Sequence, residues 1–89
     1  MIFEWDTIKS LKNREKHGVS FEEAMEIWRD VRIDAENIAR KGNESRSATL
    51  GMIKGRIYVA IWTKRKGKIR LISVRRARNN EEKIYKKNI

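Results

Sequence analysis

Residues 68–85 read KIRLISVRRARNNEEKIY, and this stretch decides the fold. At the period of two that a strand imposes, Arg70, Ile72, Val74 and Arg76 share one face and Ile69, Leu71, Ser73 and Arg75 the other. Neither face is polar in its middle. The stretch therefore predicts a strand inside a sheet, covered on both sides, with guanidinium groups emerging where the sheet stops. Asn79 and Asn80 then predict the cap of a final helix. Glu81 and Glu82 fall in its first turn and Lys83, Lys86 and Lys87 in its last, the order the helix dipole favours.

Upstream the pattern is one of hairpins. Ala48, Leu50 and Met52 alternate, Lys54-Gly55 turns, residues 57–63 form a second strand, and Arg65-Lys66-Gly67 turns into the third. Residues 31–37 alternate Val31, Ile33 and Ala35 against Arg32, Asp34 and Glu36, which predicts a short edge strand. Residues 38–45, rich in Lys, Arg, Gly and Asn, predict the longest loop.

Before this sheet, residues 1–5 read as a short strand, and Asp6 as the N-cap of a helix over 7–16. The apolar side of that helix is thin, with Ile8 and Leu11 only. Lys9, Lys12 and Lys16 recur at three and four residues, so one side presents ammonium groups, either to solvent or to a polyanion. His17-Gly18 ends the helix. Ser20 to Glu23 is a capping box with Val19 and Ala24 placed for a hydrophobic staple. Phe21, Ala24, Met25 and Trp28 follow as one apolar stripe, read as core. A helix-turn-helix reader is disfavoured, because the second helix begins with Glu22 and Glu23, which phosphates would repel.

The chain has 89 residues. That predicts one domain, residues 1–89, burying roughly 60 to 65% of the surface of its unfolded chain. No run approaches the ~18 apolar residues of a membrane span, and MIFEWD lacks the basic start of a signal peptide. With no cysteine and a single histidine, thiolate and histidine metal sites are not expected. The composition predicts a cytoplasmic protein with no metal and no cofactor. Its net charge of +10 is unevenly spread: residues 1–44 carry −2 and residues 45–89 carry +12. Such asymmetry points to a polyanionic partner: nucleic acid, an anionic membrane or an acidic protein. No amphipathic helix with a basic face and an aromatic underside supports the membrane.

Guanidinium forks suit phosphate oxygens. Cutting RNA without a metal needs a base for the 2′-hydroxyl, an acid for the leaving oxygen and positive charge at the phosphorus. Arg46, Arg70, Arg75 and Arg76 are the phosphate-clamp candidates. His17 is the one side chain that ordinarily titrates near neutrality, though a histidine at a helix C-terminus also serves as a cap. Lys16 is a second phosphate ligand, and Glu44 either orients Arg46 or acts as a base. Glu81 and Tyr85 share a face of the last helix. Tyr85 either stacks on a base or packs that helix on the sheet. Trp5, Trp28 and Trp62 are read as core. A non-catalytic nucleic-acid-binding module, and a basic interaction protein for an acidic partner, fit the same charge.

Three stretches in order, FEWDTIKSLKNREKHGVSFEEA, ESRSATLG and IRLISVRRARNNEEKIY, resemble the BrnT toxins of type II toxin–antitoxin modules. The resemblance implies an α+β, RelE-like fold: two N-terminal helices on an antiparallel sheet of about four strands, then a C-terminal helix. It also implies a ribonuclease that stops translation and is neutralised by a BrnA-like antitoxin with a ribbon-helix-helix portion. Operator DNA would be met only through that antitoxin, and a toxin dimer within the complex is compatible with it. The site residues it implies are Lys16, His17, Glu44, Arg46, Arg70 and Arg75, with Arg76, Glu81 and Tyr85. Lys9 and Lys12 extend the RNA-binding surface.

Overall fold

The computed structural model describes all 89 residues. Its elements are β1 (Phe3–Glu4), α1 (Thr7–His17), α2 (Phe21–Ala24), a 3-10 helix (Met25–Arg29), β2 (Ile33–Lys41), β3 (Glu44–Ile53), β4 (Arg56–Arg65), β5 (Lys68–Arg76) and α3 (Asn79–Lys87).

Short-range chemistry sets the helix ends. The Asp6 carboxylate accepts from the Ile8 and Lys9 N–H groups at 2.8 and 3.3 Å. Gly18 closes α1 at φ 75°, a conformation that carries no Cβ penalty for glycine. Ser20 and Glu23 cap α2 reciprocally, at 3.0 and 3.1 Å. The Ser20 N–H, and then Lys54, hold the Glu23 carboxyl below the ordinary carboxylate range.

The stripe begun at Phe21 does not run on as an α-helix. It tightens into the 3-10 helix and puts Ile27, fully buried, against the sheet. Gly51 makes the approach possible, since a Cβ there would lie 2.6 Å from Ile27 Cγ2.

The sheet has five strands in the order β1-β5-β4-β3-β2. This corrects the expectation of about four antiparallel strands. The first residues return beside the last strand, with β1 parallel to β5 and Ile69 N–H donating to the Ile2 carbonyl at 2.8 Å. The predicted loop over 38–45 is also corrected: β2 runs on to Lys41 and turns through Gly42-Asn43 into β3. Between Ala35 and Ala39 it bulges, with Asn37 at φ 57° donating its N–H to Ser47 Oγ.

A second bulge decides which arginines share a face. Ile61 pairs with Ser73 but Trp62 with Leu71, so Ile72 is the extra residue on β5. The strict alternation breaks there. By register, Ile69, Leu71, Val74 and Arg76 belong to the helix-covered face, while Arg70, Ser73 and Arg75 belong to the other.

The main core lies between the α2 and 3-10 segment and β3, β4 and β5, around Phe21, Ile27, Leu71 and Val74, whereas α1 buries only Ser10 and Asn13 and leaves its thin apolar side, Ile8 and Leu11, exposed. Trp62 belongs to it, with Trp5 and Trp28 packed against it. The free edge of β5 beyond β1 is closed by a side chain. Asn13 donates to the Val74 carbonyl and accepts from the Val74 N–H, at 2.9 and 3.0 Å, and donates to the Val19 carbonyl at 2.8 Å. On the opposite face α3 packs against β3. Arg78, rather than Asn79, is its N-cap, the Arg78 N–H donating to the Glu81 carboxylate at 2.8 Å.

Candidate active site

One row of residues crosses the face away from α1 and α2. Register pairs Arg46 on β3 with Thr63 on β4, Thr63 with Arg70 on β5, and Arg70 with Glu4 on β1. Partners at one register position point to one side of a sheet. Arg46 and Arg70 therefore stand on either side of Thr63, with Cα atoms about 10 Å apart by strand spacing. Thr63 lies buried between them, its hydroxyl donated to the Ser45 carbonyl at 2.8 Å.

Each of these arginines has a carboxylate at its side. Glu44 Oε1 is 3.4 Å from Arg46 Nε, and Glu4 Oε2 is 3.4 Å from an Arg70 terminal nitrogen. Neither contact has hydrogen-bond alignment. Indeed, Arg46 Nε and Glu4 Oε2 are the two buried side-chain polar atoms left without a hydrogen bond. Buried polar atoms are satisfied in the great majority of cases. Here both exceptions sit on one row of the sheet.

Arg75 is bound quite differently. Its two terminal nitrogens donate to the two Glu81 oxygens at 2.8 and 2.9 Å, and one also reaches the Arg76 carbonyl at 3.2 Å. The paired hydrogen bonds hold the Glu81 carboxyl down at about 2 and raise the Arg75 guanidinium. This fork ties β5 to the first turn of α3. Arg76 belongs to the helix-covered side, where its guanidinium lies 5.9 Å from the Tyr58 ring centre. Tyr85 is buried and donates its hydroxyl to the Val31 carbonyl at 2.9 Å. Burial, and then Asp30, raise its pKa. Of the two roles read for Tyr85, the geometry is that of packing; its ring is not free to stack on a base.

The remaining candidates gather elsewhere. Lys9, Lys12, Lys16 and His17 line a groove of about 180 Å³ with Ile72 and Ser73. The extra residue of β5, Ile72, is among its lining residues and lies between Arg70 and Arg75 in the strand. The largest cavity, about 640 Å³, lies where the β2 bulge opens the sheet beside β3, and it takes in Glu44 and Thr63 but none of the expected arginines. The row, not the largest cavity, holds the charged groups left without hydrogen bonds, and it is the candidate site.

The family model for the BrnT ribonuclease toxin of type II toxin–antitoxin systems matches residues 5–81. The chain belongs to the BrnT family. It is thus a ribonuclease toxin of a type II module, a class that works with an antitoxin partner. A search of curated proteins finds no significant match. No helix of this BrnT chain is long and apolar enough to cross a membrane.

In the BrnT chain the structure unites Glu44, Arg46 and Arg70, sets Lys9, Lys12, Lys16 and His17 in the neighbouring groove, ties Arg75 to Glu81, packs Tyr85 inside, and leaves Arg76 exposed over Tyr58. Sequence reasoning missed Glu4 and Thr63. Both carried a signal: Glu4 alternates with Phe3 and Trp5, and Thr63 closes an apolar strand next to a basic turn.

Proposed function

We propose that this BrnT chain is a metal-independent endoribonuclease that cleaves RNA by transesterification and thereby inhibits translation. The observation that carries this reading is the pair Arg46 and Arg70 flanking Thr63, each beside a poorly aligned carboxylate that leaves guanidinium donors free for a phosphate. The ribose 2′-oxygen attacks phosphorus as a base takes its proton. The bond from phosphorus to the 5′-oxygen breaks, that oxygen takes a proton from an acid, and the products are a 2′,3′-cyclic phosphate and a 5′-hydroxyl. Negative charge accumulates on the non-bridging oxygens, where two guanidinium groups stabilise it. Glu44, beside Arg46, is the nearest carboxylate for the proton from the 2′-hydroxyl. His17, half-buried in the lysine groove beside Ile72 and Ser73, lies further along β5 from this row and is placed to hold the flanking backbone rather than to protonate the leaving oxygen. Lys9, Lys12 and Lys16 hold the flanking backbone by charge.

A BrnA-like antitoxin with a ribbon-helix-helix portion completes the reading. An acidic segment of it would occupy the same basic face and block RNA, and cytoplasmic translation would be the target.

The test is end-labelled RNA incubated with the purified protein in excess EDTA, alone and with translating ribosomes. The expected result is cleavage with cyclic-phosphate ends, reduced about 100-fold in Arg46→Ala and in Arg70→Ala. Binding without cleavage in either setting would instead make the protein a nucleic-acid-binding module.

A further inference from the structure

The opening FEWD has four side chains, and three of them have structural tasks. Phe3 packs edge-on against Trp28 at 5.0 Å, Trp5 packs against the core, and Asp6 caps α1. Glu4 has no such task. It falls outside the 5–81 span of the family match, and its Oε2 is buried with no hydrogen-bond partner.

We propose that Glu4 is a positioning residue of the ribonuclease site, fixing the Arg70 guanidinium beside Thr63 so that its free donors meet the phosphate. The proposal rests on the reading of the Arg46–Thr63–Arg70 row given above.

Three observations carry it. First, the carboxylate is pinned by backbone: Glu4 pairs with Arg70 in the parallel β1–β5 register, and the Ile69 N–H to Ile2 carbonyl bond of 2.8 Å holds that register. Second, the Glu4 and Arg70 side chains are only 28% and 29% exposed, so water screens the attraction incompletely. Third, the contact is the opposite of the one this chain uses for stability. Arg75 and Glu81 meet fork to fork at 2.8 and 2.9 Å, committing both terminal nitrogens of Arg75 and both oxygens of Glu81. Glu4 approaches one Arg70 nitrogen at 3.4 Å without alignment. A guanidinium has five N–H donors, so this contact orients the group and leaves donors for phosphate. A second negative charge this near a phosphate also opposes RNA binding. Glu4 therefore costs affinity and returns geometry.

That trade gives the test its signature. Wild type, Glu4→Gln, Glu4→Asp and Arg70→Ala would be compared on one RNA in a translating extract. Affinity would be measured by anisotropy, cleavage under single-turnover conditions at saturating protein, and Tm in parallel. In Glu4→Gln the RNA should bind as tightly as to wild type or more tightly, Tm should be unchanged, and the saturated cleavage rate should fall about 10- to 100-fold, the scale of a misplaced group. Glu4→Asp keeps the charge one methylene short and should recover part of that rate. Arg70→Ala should lose both binding and cleavage. Wild-type cleavage in Glu4→Gln beside an inactive Arg70→Ala would overturn the proposal and leave the site standing. Wild-type cleavage in Arg70→Ala, or none by the wild-type protein, would overturn both. A parallel fall in binding and Tm in Glu4→Gln would make Glu4 a structural residue and also overturn the proposal.

Discussion

Arg70 and Arg75 lie five positions apart on one strand and on one face of it, yet their carboxylate partners put them to different uses. Glu81 takes both ends of Arg75 and also accepts the Arg78 N–H, so the pair fastens α3 to the sheet. Its carboxyl sits at about 2 against an ordinary 4.5, chiefly through the Arg75 hydrogen bonds. A carboxyl lowered by folding adds stability that is complete above its ordinary value and lost as pH falls through its folded one. The window here runs from about 4.5 down to about 2. With the side chain 20% exposed, the contribution is on the order of 2 kcal/mol. Thermal melts from pH 6 to 2.5 should therefore fall less steeply for Glu81→Gln than for wild type, the variant being the less stable at neutral pH. Parallel curves would remove Glu81 from this role. Arg70 has no such fork, and its loss should spare Tm. The sequence shows both arginines but not this division, because a partner's identity depends on register across strands that are far apart in the chain.

At the level of elements, the edge of β5 is closed on one half by β1 and on the other by the Asn13 carboxamide, which pairs with Val74 as a neighbouring strand would. Asn13→Ala leaves the Val74 N–H and two carbonyls without partners in a buried place. A cost of at least about 3 kcal/mol is expected, at 1 to 3 for each of the three groups. Chemical denaturation measures it, and hydrogen exchange should speed up at the Val74 amide. An unchanged midpoint would mean that water replaces the amide. Helix ends were legible in the sequence because caps are local: Asp6, Gly18 and the Ser20–Glu23 box stand where their residue types predict. The sheet was less so. Ile72 inserts one residue into β5, so the period of two holds on each side of it but not across it. The first part of β2 was legible from the alternation through Ala35, but its second half, to Lys41, is exposed throughout and has no buried face to give an alternation. Ile27, in turn, reaches the sheet through a 3-10 turn matched to Gly51 rather than through the helical period.

Across the whole molecule, charge and topology converge on one surface. The +12 of residues 45–89 is borne largely by β3, β4, β5 and their turns, while the acidic first half supplies Glu4 and Glu44 to the two arginines left without forks. A basic field draws in a polyanion, and under the proposed function the row would set where its phosphate stops. That row was half legible: Arg46, Arg70 and Glu44 were named from strand ends, whereas Glu4 joined them only through a parallel pairing between the two ends of the chain. The most direct test of the row is the titration of isotope-labelled protein with a non-cleavable 2′-O-methyl RNA, following the arginine Nε resonances by NMR. The account predicts that Arg46 and Arg70 shift on binding while Arg75, held by Glu81, stays in place. A shift at Arg75 with Arg46 and Arg70 unmoved would contradict it.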